Sequence, residues 1–315
     1  MITKTHATAT GLPIGRPGLW GLFALLSLPL LAYAQTYQEY PANRVTGVNV
    51  DQFIGSWLHS ETTVTHGTLV ERVILWSGNP EKPGPPGAVL EFHKKISLAA
   101  LEGRFQTPPT RHAEQEILYV ERGQGELRSG KQAWPLSEGR AALIPPNLEH
   151  SFVNLGEERL EMVVVTAVYG AGVKLREDIL VRDRRSLPYA EPMTVWNYNA
   201  QCLFGPPDGL HPNEDILLVT MEPMTNSFPH SHSPHWEEVW LKLPPDDSFA
   251  LLGSEVRRQH PNEAFLAPPD GKTWHAVLNL TDHPMYWLYV GHYTEPVDYP
   301  AWVYAVPAVK SHPVE

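Results

Sequence analysis

Cysteine is almost absent from this chain, which holds a single one, Cys202, among 315 residues. No internal disulfide can form. Cohesion must come from packing, hydrogen bonding or a bound group, which a chain of this length can supply without covalent staples. Cys202 itself reads as a small buried apolar residue. Basic residues are also scarce: 24 Lys and Arg face 35 Asp and Glu, a formal net charge of −11. That balance argues against nucleic acid and anionic lipid as partners and leaves a small-molecule substrate, with a homo-oligomer open. Long hydrophobic runs are missing except for Leu19–Leu31. This run contains Pro29 and falls short of the ~20 residues a membrane span needs. Preceded by Lys4 and Arg16 and followed by Ala32, Tyr33 and Ala34, it has the order of a secretory signal peptide cleaved after Ala34. The expectation is an exported protein, periplasmic or extracellular, with no membrane attachment once cleaved.

What the chain has instead is punctuation. Its 31 prolines and 23 glycines leave little room for long helices. Between them lie runs of strand length, among them Leu69–Trp76, Glu116–Glu121, Leu160–Thr166, Ile216–Met221 and Met285–Val290, most of them bounded by turn residues. Many short strands with frequent turns predict an all-β sandwich or barrel. The proline-dense segment Asn79–Gly87 cannot join a strand ladder and reads as a loop between strands. A domain junction is expected near Arg182–Pro188, where charge and proline separate two β-rich halves. This gives a signal peptide over 1–34 and two domains over 35–185 and 186–315.

The two halves look like copies of one module. The first contains Pro108-Pro-Thr-Arg-His112, then Glu116, then Pro145-Pro-Asn-Leu-Glu-His150 and Asn154. The second contains Pro229-His230-Ser-His232, then Glu237 and Glu238, then His275 and Asn279. His112 and His232 are 120 residues apart, while His150 and His275, like Asn154 and Asn279, are 125 apart. Histidines at i and i+2 on an extended segment point to one face, so both imidazoles can reach one ion. A carboxylate on a facing strand and a distant histidine would complete a mixed nitrogen and oxygen site. Such a site suits Fe, Mn, Cu, Ni or Zn without choosing among them.

These motifs resemble the cupin superfamily, whose first motif is H-x-H, three or four residues, E, then six residues and G. Its second motif carries a proline, a histidine and, four on, an asparagine. The resemblance implies two tandem double-stranded β-helix (cupin, jelly-roll) barrels, a bicupin, with one divalent transition metal per chain, or two if both barrels bind. In the second barrel it implies His230, His232, Glu237 and His275 as ligands. Glu237 gives the permitted spacing and puts Val239 and Leu241 inward, sparing Lys242 from burial. Glu238 is the alternate, because it precedes Val-Trp-Leu as Glu116 precedes Ile-Leu-Tyr. The family glycine is replaced there by Pro244 and Pro245. In the first barrel Thr110 stands where a histidine is expected, which leaves His112, Glu116 and His150. Gly123 keeps the family spacing, within the turn-like Arg122–Glu126.

A histidine-rich surface loop is the bland reading of His230-Ser-His232-Ser-Pro-His235, with His235 as a flanking residue. Tryptophans such as Trp240 and Trp287 are expected in the core. Trp236 and Trp274, beside the ligands, are expected to wall a substrate pocket. His260 and His292 read as structural or surface residues. The resemblance implies three functions: a dioxygenase-like oxidoreductase on a small phenolic or saccharide-type substrate, which ranks first; a lyase, decarboxylase or isomerase; and a non-catalytic metal or sugar binder.

Overall fold

The strand Glu214–Met221 is buried at all eight positions, and Glu237–Lys242 at all six. An antiparallel strand with one wet face would alternate; a strand covered on both faces need not. The fold explains the coverage. The computed structural model describes residues 46–170, 173–190 and 198–314; the segment expected to be a signal peptide, with its expected cleavage after Ala34, lies outside them.

In the first half an eight-stranded sheet has Gln115–Arg122 between Arg140–Ile144 and Leu160–Ala167. It continues through His93–Leu101 and Leu69–Ser77. A second, four-stranded sheet is built on Gln124–Ser129, Gln132–Ser137 and Ser151–Asn154. The second half repeats the plan. In its six-stranded sheet Glu237–Lys242 lies between Glu263–Leu266 and Met285–His292, followed by Glu214–Met221 and Tyr198–Phe204. Its four-stranded sheet holds Ser248–Leu252, Glu255–Gln259 and His275–Asn279. The described fold is therefore nearly all β, as expected.

Three buried apolar clusters place the faces. Leu118, Val120, Phe152 and Val164 fill the first barrel, and Trp240, Trp287, Phe265 and Val277 fill the second. A third cluster joins Ile117, Tyr119 and Val163 to Val239, Leu241 and Val290, so the two large sheets pack against each other. The chain ends are exchanged across this packing. Ile54–Ser56 pairs with Glu263–Leu266 of the second half, and His312–Pro313 pairs with Gln132–Ser137 of the first. The expected junction holds a short turn, Arg184–Ser186. Just before it, buried Arg182 is bidentate to Asp208 at 2.8 Å and also donates to the Leu203 carbonyl.

A polar crosslink sits within the apolar interface. His93, from the first half, lies between two carboxylates of the second: its Nδ1 is 2.5 Å from Glu237 Oε1 and its Nε2 3.0 Å from Glu214 Oε1. Glu237 Oε2 also accepts from the Glu91 and Phe92 amides at 2.5 and 2.9 Å. Burial opposes charge on His93, but the two carboxylates outweigh it and push its pKa up to about 10. The folded state thus holds a proton that the unfolded chain releases near pH 6.5. The resulting stability is complete below pH 6.5 and lost as pH rises through about 10. His93→Gln should cost about 3–5 kcal/mol in urea unfolding at pH 6, the range for breaking a buried ion pair, and clearly less at pH 10. An equal loss at both values would show that the charge is not what matters.

Candidate metal centre

Strand alternation decides which glutamate enters the second barrel. Trp240 belongs to the barrel interior and Val239 and Leu241 to the interface between barrels. Side chains two apart share a face, so Glu238 points inside and Glu237 points to His93. The expectation of Glu237 as ligand is corrected here. It assumed one covered face, whereas both are covered, and Lys242 is buried after all.

Glu238 meets His230, His232 and His275, with one donor atom from each residue lying within 4.8 Å of the others. Residues 230 and 275 are held together by reciprocal backbone hydrogen bonds of 3.3 and 2.8 Å. His230 Nδ1 donates to the Phe228 carbonyl at 2.7 Å, which leaves Nε2 as its lone pair. Glu238 Oε1 accepts from Trp240 Nε1 at 2.6 Å and lies 2.7 Å from His275 Nε2, while Oε2 accepts from the Tyr289 hydroxyl at 2.9 Å. His232 Nε2 is 2.8 Å from the same Oε2, yet this buried nitrogen makes no properly directed hydrogen bond. Two donors close together but not aimed at each other are what a shared cation requires, so these four residues fit a divalent metal. Burial alone would raise the pKa of Glu238; His275 and His232 overcome it and hold the carboxyl well below the usual range. Burial pulls the pKa of His275 down, against the opposing pull of Glu238.

Behind Glu238 runs a chain of hydroxyls. Tyr293 Oη lies 3.0 Å from Tyr289 Oη and 2.8 Å from Asp215 Oδ1, and Tyr299 donates to Asp215 Oδ2 at 3.1 Å. Tyr289 donates to Glu238 and Tyr293 to Asp215, so two hydroxyls link the two buried carboxyl groups. Burial pushes the pKa of Asp215 up to about 7, even though Tyr293 and Tyr299 act to lower it. Gly291 leaves the room: a Cβ there would meet Tyr293 Oη at 2.6 Å and Asp215 Oδ1 at 2.8 Å.

The first barrel has the same frame with one ligand moved. Thr110 and His150 exchange backbone hydrogen bonds as His230 and His275 do, so Thr110 stands where His230 does. The missing imidazole comes from His66, in the turn between Thr62–Thr65 and Leu69–Ser77. His66 stacks on His112 with ring centroids 4.2 Å apart, and its Nε2 is 3.1 Å from His150 Nε2. His66, His112 and Glu116 offer donor atoms within 4.8 Å of one another. Glu116 Oε2 is 3.4 Å from His66 Nε2 and 3.2 Å from His150 Nε2, again buried without a hydrogen bond. His150 Nδ1 donates to the Leu148 carbonyl, freeing Nε2. Despite its burial, Glu116 is held well below the usual carboxylate range by His150 and His66, and burial lowers His112. His66 falls outside both sequence motifs, so no spacing argument could have found it. The cavity beside this centre is only about 10 Å³, room for one water at most.

The expected pocket walls differ. Trp236 stacks on His232 at 4.4 Å and meets Tyr293 edge-on at 5.1 Å. Trp274 is 55% exposed. Trp240 and Trp287 are core, and Cys202 is buried. His235 is exposed and bonded to Glu91, and His260 to Asp247. His292 is buried and stacked on Phe92.

Residues 98–166 match the family model described as "Cupin domain". The chain thus carries a cupin domain in its first half, and its described fold as a whole is bicupin-like. AerE from Microcystis aeruginosa has a similar fold, at 14% identity and TM-score 0.58 over 77% of this chain and 99% of that one. A putative glyoxylate induced protein from Pseudomonas aeruginosa matches at 14% identity and TM-score 0.59, over 78% and 90%. A mutant oxalate decarboxylase from Bacillus subtilis matches at 13% identity and TM-score 0.56, over 84% and 86%. No curated protein matches the sequence.

The two cupin centres can be assayed separately by elemental analysis. His232→Ala with His275→Ala should remove the second centre's metal, and Glu238→Gln should weaken it by at least about tenfold, a loss of about 1.4 kcal/mol. Glu237→Gln should keep its metal, as should His150→Ala at one ion per chain or more. Stoichiometric metal retained in the double variant would overturn the assignment.

Proposed function

We propose that this bicupin is a metal-dependent enzyme whose reaction centre is the second barrel, most plainly a dioxygenase-like oxidoreductase acting on a small phenolic or saccharide-type ring. The observation that carries the reading is the set His230, His232, Glu238 and His275, with a tryptophan laid on one ligand. A transition metal held there would supply Lewis-acid or redox chemistry at an open coordination position. His230, His232 and His275 would hold it, with Glu238 as the anionic ligand.

The rest of the chain's contribution is positional. Glu238 accepts from Trp240 and Tyr289 and is held well below the usual carboxylate range, so it stays an anion and is a poor general base. Trp236 braces His232 and presents an aromatic wall. Phe228, stacked on His230, and Trp274, next to His275, are 46% and 55% exposed. Together these rings suit a flat or sugar-like substrate. With so little space beside it, the first centre is read as structural. Export, as the leader-like sequence suggests, would put the enzyme in contact with extracytoplasmic phenolics or saccharides.

One observation favours a lyase as the second reading. Asp215, linked through Tyr293 and Tyr289 to Glu238, is a buried carboxyl whose pKa burial raises to about 7, where it could deliver the proton a decarboxylation product needs, and one structural neighbour is an oxalate decarboxylase. Oxygen decides between them. Metal-loaded protein should consume O₂ with one or more members of a phenolic and sugar panel, and His275→Ala should lower the rate at least about a hundredfold, about 2.7 kcal/mol in the barrier. Equal turnover under anaerobic conditions would replace the oxidoreductase with the lyase.

A further inference from the structure

A cleft of about 170 Å³ opens where the two large sheets and the junction turn meet, and it uses none of the residues of either metal centre. Tyr119 and Glu121 reach it from Gln115–Arg122 of the first barrel, Lys242 and Tyr286 from the second, and Arg184 from the turn Arg184–Ser186. Its polar lining is dominated by donors that the protein leaves unused.

Lys242 is the clearest case. It is only 1% exposed, its ammonium donates to the Leu243 carbonyl, and it lies 5.3 Å from the centre of the Trp287 ring. No carboxylate among the described residues is within ion-pair distance of it. A buried cation in that position is costly unless an anion joins it; burial accordingly pulls its pKa down to about 8, against the pull of Asp246, Asp247 and Glu121. Arg184 lies 4.7 Å over the Tyr286 ring, and its guanidinium too has no carboxylate within ion-pair distance among the described residues. The hydroxyls of Tyr119 and Tyr286 have no hydrogen-bond partner among those residues.

The acids of the cleft do not cancel these donors. Asp246 is already paired with His283 at 2.8 Å. Glu138 is exposed at the rim. Glu121 is bonded by Asn262 at 3.0 Å, and its buried Oε1 has no partner. Burial pushes its pKa up to about 8, which weakens its hold on the neighbouring cations.

We infer that this cleft is a ligand site separate from both metal centres, and that it binds a small organic carboxylate through Arg184, Lys242, Tyr119 and Tyr286. The volume is close to the ~150 Å³ that accommodates a benzene ring, which sets the size class. Because the lining comes from both barrels, such a ligand would also bridge them.

The test uses the full chain, with benzoate as probe, benzamide as its neutral isostere and inorganic phosphate as a second anion, measured by calorimetry and saturation-transfer NMR. Saturable benzoate binding is expected, with benzamide at least tenfold weaker. Arg184→Gln, on a partly exposed turn, should weaken benzoate at least tenfold without loss of fold, and Tyr286→Phe several-fold. The His232→Ala with His275→Ala variant should bind benzoate as the unaltered chain does. Phosphate binding more tightly than benzoate would overturn the organic-carboxylate assignment. Benzamide binding equally, no effect of Arg184→Gln, or loss of benzoate in the histidine variant would overturn the site. None of these results depends on turnover, so they stand or fall apart from the oxygen assay.

Discussion

Everything specific about this molecule depends on the strand Glu237–Lys242 being covered on both faces. Neighbouring side chains on a strand point to opposite sides, so two adjacent glutamates are sent to two different environments. Glu238 enters the second barrel and becomes a carboxylate held low by imidazoles; Glu237 enters the inter-barrel interface and becomes half of the clasp on His93. A slip of one residue would exchange both at once and put Glu237 among the histidines. Six-residue pairing with Met285–His292 and the Trp240–Glu238 hydrogen bond make that slip expensive.

The internal repeat is better preserved in backbone than in side chains. Asn154 and Asn279 do the same work 125 residues apart. Each amide donates to three carbonyls, Leu101, Glu102 and Glu158 in one case and Met221, Glu222 and His283 in the other. Each side-chain oxygen takes the amide two residues on. These are turn-forming roles, and any change would leave several buried carbonyls unsatisfied. Ligand positions are freer, because a metal centre needs donor atoms at a point, whichever strand supplies them. Thr110 and His66 illustrate this: the backbone site of the lost histidine persists, and an imidazole arrives from the turn after Thr65.

That contrast explains what the sequence disclosed. The internal repeat and the paired histidines are visible as spacing in a string of letters; the tandem barrels followed from the resemblance those motifs carry, and the core tryptophans from the size of their rings. Three features were hidden because they depend on what packs against a strand. The choice between Glu237 and Glu238 needed the knowledge that the far face of the sheet is buried too. His66 needed the third dimension, since it lies 84 residues from its partner His150. The exchanged ends, Ile54–Ser56 and His312–Pro313, carry no motif at all; they are short strands whose pairing is settled by the neighbouring barrel's open edge.

The two centres, so alike in ligand geometry, are set apart by what lies behind the glutamate. In the second barrel the residue opposite Glu238 is Gly291, and the space it yields is filled by Tyr289, Tyr293 and Asp215. In the first barrel the residue opposite Glu116 is Thr166, which has a side chain and an unpartnered hydroxyl. A Cβ there leaves no path for a hydroxyl chain, and Val164 stands level with the position that Tyr289 occupies in the second barrel. Gly291 in place of a threonine and Tyr289 in place of a valine together account for the difference: a similar cage of imidazoles and carboxylate, backed by apolar packing in one copy and joined to a buried carboxyl group in the other.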